Sequence, residues 1–335
     1  MLVSTAIWAA MRPHQGGPAL GVAVTACFLL MRQLVRRACR DALDAAERLR
    51  AIAAPAGDAW RRLFEAEGLG GHIPAVAPLV RKALRLTVRP KGQTEGRSRV
   101  GGRADLPAGW PWPRCAGLPM ELLVQLDLAE IRRLLPESPL PAEGHLCFFY
   151  SDRIIGSASL AREACPVVHV PGSATAVPTD PPADAKPRGA RTEPLPLELT
   201  AYEDLPDLAV EKGLAATLDE PQAETYRALA SFLASGGDDP HHKLLGHAEP
   251  LEEPMELECA RIVNGIGVGK SSTLTSALLD QVARQSRRWR LLLQLDSDAA
   301  VPWMWGDLGR VYFWIRDEDL QQHRLDRVLV LAEGA

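Results

Sequence analysis

The chain has 335 residues, 47% of them apolar and 24% charged, which is enough for one large domain or two ordinary ones and excludes a disordered or fibrous chain. Net charge is -4, but residues 1–103 carry 17 Lys+Arg against 7 Asp+Glu, so a basic leader precedes an acidic body. No aromatic residues interleave those arginines as base-stacking platforms would, so basic helices docked on the body or standing in solvent are expected, and no nucleic-acid partner.

Ala19–Met31 is a mostly apolar run, shorter than the ~20 residues a spanning helix needs. "VTAC" (Val24 to Cys27) fits a lipobox, yet apolar "FLLM" follows it and the basic residues crowd the wrong side, at Arg32, Arg36 and Arg37. A cytoplasmic protein without a membrane partner is therefore expected. The six cysteines are scattered without any C-x-x-C pair, which fits a reducing compartment and argues against a zinc knuckle. Met11 and Met31 are alternative starts.

Arg32 to Ala54 has helical periodicity, and Asp58 to Glu67 suits a second short helix ended by Gly68. Leu79 to Val88 reads as either helix or strand. "RPKGQTEGRSRVGGRADLPAGWPWP" (89–113) is an extended loop rich in glycine, proline and arginine. Pro166 to Pro196 is proline- and alanine-rich and is expected as a loop or linker. Glu220 to Ala234 is a predicted helix, ended by Gly236 and Gly237.

Two strings are near twins. "LLVQLDLA" begins at Leu122 and "LLLQLDSD" at Leu291, and glycine-led apolar runs follow, "GHLCFFY" from Gly144 and "GRVYFWI" from Gly309. The repeated order implies an internal duplication. Alternation puts Leu291, Leu293 and Leu295 on one face and Leu292, Gln294 and Asp296 on the other, with Leu122, Val124 and Leu126 opposed likewise to Leu123, Gln125 and Asp127. Val311, Phe313 and Ile315 should oppose Arg310, Tyr312 and Trp314. The expected fold class is α+β: mainly antiparallel sheets built from two duplicated strand units, with flanking helices and a helical N-terminal extension.

The motifs "VGGRADLPAGWPWP", "GLPMELLVQLDLAEI", "GHLCFFY", "HKLLGHAEPLEEPMELEC", "LLLQLDSD", "MWGDLGRVYFWIRDEDL" and "DRVLVLAEG" together resemble the YwqG-like family, a bacterial domain of unknown function. The resemblance runs from about Leu84 to the carboxyl terminus. It implies a mixed α/β fold with duplicated sheet elements and supplies no activity. Gly101, Gly102, Pro107, Trp112, Gln125, Asp127, His242, Gly246, Gln294, Asp296, Trp305 and Asp307 are among the residues that fit its pattern. The chain departs from it in the amino-terminal extension and the longer proline/alanine stretch. The corresponding division is an extension at 1–83 and a YwqG-like domain at 84–335, with the 166–196 loop between its halves.

Three places look chemical. "NGIGVGKSS" (Asn264 to Ser272) lacks the first glycine of a phosphate loop, so no nucleotide binding is expected. "HHKLLGH" (His241 to His247) lacks metal-ligand spacing, so no metal or cofactor is expected and the histidines should be structural. The strongest candidates are the two Gln-x-Asp ends and "WMWGD" (Trp303 to Asp307). Asp127, Asp296 and Asp307 are candidate catalytic carboxylates; Trp112, Gln125, Gln294 and Trp305 are candidate ligand-binding residues around a cleft between the repeats. Buried Gln and Asp more often satisfy loop amides, and clustered tryptophans equally suit a core. The reading is a non-enzymatic binding or protein-interaction module, protective against a partner in the manner of an immunity protein. Its partner would be a protein or small molecule. The alternative is a hydrolase-like enzyme using the aspartates in a Trp-lined cleft.

Overall fold

A computed structural model describes residues 43–54, 57–91, 97–185, 193–236, 240–266, 275–301 and 303–334. The apolar run at 19–31, the VTAC string and the Gly-Lys-Ser core of "NGIGVGKSS" lie outside the described residues. The chain divides into two units, Met1–Ala54 and Pro55–Ala335. In the first, residues 43–53 are helical, within the stretch where the periodicity predicts a helix.

The second unit is built on strands in two successive sets. The first comprises β1 (Arg81–Val88), β2 (Arg99–Val100), β3 (Ala104–Pro107), β4 (Arg114–Cys115), β5 (Leu118–Pro119), β6 (Glu121–Asp127), β7 (His145–Tyr150), β8 (Val167–Val170) and β9 (Ala176–Thr179). The second comprises β10 (Leu195–Asp204), β11 (Lys243–Leu245), β12 (Trp289–Asp296), β13 (Arg310–Arg316) and β14 (Leu329–Glu333). Ten of them form one sheet in the order β14-β13-β12-β11-β1-β10-β2-β6-β7-β8, and every neighbouring pair is antiparallel.

That order is symmetric about its middle. Matching β1, β2, β6, β7 and β8 with β10, β11, β12, β13 and β14 reproduces every pairing. The first strand of each repeat has crossed over: β1 pairs with β11 of the second repeat, and β10 pairs with β2 of the first. The register carries the same symmetry. Leu84–Thr87 reads "LRLT" and Leu197–Thr200 reads "LELT", and the pairs Arg85–Thr200 and Thr87–Glu198 interchange about the central Leu86–Leu199 pair. Neither repeat completes its sheet alone, so the halves should fold as one cooperative unit.

The sheet curls until its two ends share a core. Phe148 of β7 meets Phe313 of β13 edge to face with centroids 5.3 Å apart, and Tyr150 meets Trp305 at 5.0 Å. A parallel bridge joins Ile155 to Val330 of β14. Helices Glu256–Val263 and Ser276–Ser286 cover the other face of the second repeat, burying Cys259 and Val282 against Trp289, Tyr312 and Trp314. Helix Glu220–Ser235 opens on an Asp219–Gln222 capping box and ends at left-handed Gly236, where the sequence predicts its stop. Its Tyr226 packs edge to face on Phe64 of helix Ala59–Ala66, so residues before β1 are part of this unit.

The structure differs from the sequence reading in detail. Leu79 to Val88, ambiguous by pattern, contributes β1, which is paired on both sides. The proline-rich 166–196 stretch supplies β8, where the β-branched "VVHV" suits an edge strand, and β9, which pairs with β3. Strict alternation in the twin strands fails at one position. Each carries a register shift, between Leu122 and Val124 and between Leu291 and Leu293. The extra residue turns Leu291 toward Trp289, Tyr312 and Trp314, while Leu292, Leu293 and Leu295 share the core of Val311, Phe313 and Ile315.

Candidate functional site

The duplication extends to side-chain chemistry. "SRVGGRAD" (Ser98 to Asp105) and "HKLLGHAE" (His242 to Glu249) are the same strand-and-turn in the two repeats. The turns sit in the left-handed region at Gly101 (φ 62°) and Gly102 (φ 77°), matched by Leu245 (φ 63°) and Gly246 (φ 80°). Each turn brings an acidic residue back beside the cation it followed.

In the first repeat Arg99 lies opposite Gln125 on β6. Arg99 donates to the Asp105 carboxylate at 2.7 Å, Gln125 Nε2 donates to the same oxygen at 2.8 Å, and the Asp105 amide donates to Gln125 Oε1 at 3.0 Å. In the second, Lys243 lies opposite Gln294 on β12. Lys243 Nζ donates to Glu249 Oε1 at 2.6 Å, the Glu249 amide donates to Gln294 Oε1 at 2.9 Å, and Gln294 Nε2 donates to the His241 carbonyl at 2.9 Å. The first residue of the next strand closes each network: His145 Nε2 donates to the Asp105 carbonyl at 2.6 Å and Arg310 to the Glu249 carbonyl at 2.7 Å. The repeated glutamine is thus a clasp that needs a donor and an acceptor on one tip, which Glu cannot supply when ionised.

The aspartates of the Gln-x-Asp strings serve different local ends. Asp127 caps helix Leu128–Leu134, accepting from the Glu130 amide at 2.9 Å, while its own amide donates to Ser98 Oγ at 3.0 Å. Asp296 is buried; it accepts from the His241 amide at 3.1 Å and lies 3.1 Å from Arg310 Nε. Its amide donates to His242 Nδ1 at 2.9 Å, which leaves the His242 proton on Nε2, facing Asp298 Oδ2 at 3.2 Å. Asp307 is exposed on a turn whose amide donates to the Gly334 carbonyl at 3.0 Å. Five antiparallel steps separate β6 from β12, so the two strands run in opposite senses. Asp127 and Asp296 therefore leave the sheet at opposite edges. Trp112 and Trp305 are buried in the shared core, their indoles donating to the Met120 carbonyl at 2.8 Å and the Asp296 carbonyl at 3.1 Å. Gln125 and Gln294 are buried in the two clasps.

Burial separates the two cations. The Lys243 side chain is 0% exposed and also contacts Asp204 Oδ2 at 3.1 Å and the His247 carbonyl at 3.1 Å. Burial disfavours its charge, but Asp204 and Glu249 outweigh that and raise its pKa. On Glu249 burial acts in the opposite direction, upward; Lys243 and His241 reverse this and hold it at about 2. Burial dominates for Asp204, whose pKa is raised despite Lys243. Arg99, by contrast, is 21% exposed, while the two carboxylates differ little, Asp105 at 27% and Glu249 at 25%. Arg99 and Asp105 open onto a groove of about 740 Å³, also lined by Lys91, Arg97, Gln125, Asp127, His145, Pro178, Pro194 and Pro196. Burial pushes Asp105 up, but the bonds from Gln125 and Arg99 win and keep it ionised below the usual range. The adjoining Cys147 thiol, 3.4 Å from Gln125 Oε1, is pushed up to about 12 by burial and is no thiolate nucleophile at neutral pH.

The three histidines of "HHKLLGH" are all engaged: His241 with Glu249 at 2.5 Å, His242 with Asp298, and His247 with the Leu79 carbonyl at 2.9 Å. Among the described residues, no group of three or more His, Cys, Asp or Glu could hold a metal ion. Burial and nearby Arg81 push His247 down to about 3. A depressed histidine contributes stability that is fully present above its unfolded pKa of ~6.5 and is lost as pH falls toward the folded value. Glu249 adds the same sign below ~4.5, and Asp204 opposes it. Urea unfolding should therefore show ~3 kcal/mol or more lost between pH 7 and pH 3, with a flatter limb in His247→Gln. An unchanged limb in that variant would remove His247 as its cause.

Sequence reading missed Arg99, Asp105, Lys243, Glu249 and Asp204. The available signal was the shared basic–aliphatic–x–Gly–x–Ala–acidic spacing of the two turns.

Among the described residues, no helix is long and apolar enough to cross a membrane. No curated protein matches the chain. The family described as "Domain of unknown function (DUF1963)" matches residues 98–333, from the first residue of the first turn to the last strand. By that match, which spans both polar networks, the chain belongs to the DUF1963 family.

Proposed function

We propose that the protein is a non-enzymatic binding module, YwqG-like and cytoplasmic, whose ligand seat is the groove beside Arg99 and Asp105. One observation carries this reading: the cation of the shared cation–carboxylate–glutamine network is enclosed in the second repeat and opens onto a large groove in the first. A duplicated structural clasp has no need of a groove, and convergent polar groups in a concavity are the usual mark of a binding site. Arg97 is exposed in the groove wall and has no ion pair among the described residues, so it is free to meet a polar ligand, a small molecule or a partner's peptide segment.

The test is a thermal-shift screen with metabolites and short peptides. A true ligand at about 100 times its Kd should stabilise the fold by ~2.7 kcal/mol. The shift should vanish in Arg97→Gln and persist in Arg132→Gln, whose guanidinium instead holds the Pro136 and Leu140 carbonyls. Hits insensitive to Arg97→Gln would sink the groove as the seat. Turnover of a hit, abolished by Asp296→Asn, would instead favour the hydrolase.

A further inference from the structure

A second concavity lies away from the groove, where β13 and the last loop of the chain meet helix Ala158–Ala164. Its volume is about 190 Å³, below the ~300–1,000 Å³ of sites that enclose drug-sized molecules. Four arginines line it, Arg162, Arg316, Arg324 and Arg327, against Asp319 and Asp326. The aspartates are already committed. Asp319 is buried and binds Arg324 at 2.6 Å, and Asp326 lies 3.2 Å from Arg327. Arg162 and Arg316 have no carboxylate partner among the described residues, and Arg316 instead stands 5.4 Å over the Trp289 ring. Trp289 lines the same pocket, and its indole N–H is buried without a hydrogen-bond partner among the described residues.

Such a site has surplus positive charge and planar donor forks in a space of small-anion size. Guanidinium forks match the oxygens of phosphate in paired hydrogen bonds, and stacking on Trp289 fixes one of them in place. We propose that this pocket binds a phosphate group, carried by a small phosphomonoester or free as inorganic phosphate. It holds the anion by charge-assisted hydrogen bonds and needs no covalent step. Because the arginines are partly in solvent, binding weakens as salt rises.

Calorimetric titration of the full chain with inorganic phosphate and with phenyl phosphate, at constant ionic strength, tests this. Saturable binding with a Kd on the order of 1 mM is expected. Arg162→Gln and Arg316→Gln should each weaken it about tenfold, and Trp289→Phe, which keeps a ring beneath Arg316, should weaken it less. Arg227→Gln, on an exposed pair with Glu220, should leave it unchanged. Tighter binding of phenyl phosphate assigns the pocket to an ester, and equal binding assigns it to the free anion. No saturable heat from either probe, or equal binding in wild type and both arginine variants with unfolding midpoints preserved, overturns the proposal.

Discussion

Replacing Lys243 by methionine should cost about 3 to 5 kcal/mol, read as a fall in the urea midpoint at pH 7. The side chain is wholly enclosed, and its ammonium is the shared partner of Asp204 and Glu249. Methionine fills much of the volume but leaves buried Asp204 without its cation, while Glu249, 25% exposed, keeps His241 and Arg310 beside it. Against the ~5–15 kcal/mol that stabilises a typical domain, this brings the variant near the limit of folding. The penalty lies in the stranded charges more than in the lost attraction. The triple variant Lys243→Met, Asp204→Asn, Glu249→Gln should therefore recover a measurable part of it. If the triple variant were less stable than Lys243→Met, stranded charge would not be the cause.

Gly309→Ala should lose more than ~3 kcal/mol in the same assay. A Cβ at Gly309 would stand 1.8 Å from the Glu333 carbonyl oxygen and 2.4 Å from that of Trp305, and both are backbone atoms that cannot swing away. Gly144, its counterpart, would meet the Val170 carbonyl oxygen at 1.9 Å and adds the strain of a φ of 91°. The glycine that leads each second strand thus lets the next strand, β14 or β8, pass close beside it. Gly71→Ala, with open space around the added carbon, is the control and should change stability by less than ~1 kcal/mol. A Gly309→Ala protein as stable as the control would show that the edge strands can shift apart at little cost.

Much of this architecture was legible in residues close together in sequence. The twin Gln-x-Asp strings and their leading glycines revealed the duplication, the antiparallel α+β class and the alternation in β13, because strand periodicity is a local property. The strand exchange was not legible, since it depends on pairing between Leu84–Thr87 and Leu197–Thr200, far apart in the chain. The shared turn was hidden by substitution: Arg99 became Lys243, Asp105 became Glu249 and Gly101 became Leu245. Unequal insertions also offset it differently from the twin strings, 144 positions for Ser98 and His242 but 169 for Leu122 and Leu291. The bulge at Leu123 and Leu292 has no local signature, so faces read by strict alternation slipped by one. The aspartates drew attention as charged strand ends, yet Asp127 caps a helix and Asp296 ties a histidine turn. Burial separates the two cations, and burial is set by what folds over a residue rather than by its neighbours in sequence.

The cation of one duplicated network has become part of the core while its twin faces a groove. A matched urea series on Lys243→Met and Arg99→Met measures this most directly, because each removes the cation of its own copy. Lys243→Met should lose ~3–5 kcal/mol and Arg99→Met ~1 kcal/mol or less, because the carboxylate partner of Arg99 keeps solvent and Gln125. Equal losses at the two sites, or a larger loss at Arg99, would contradict it.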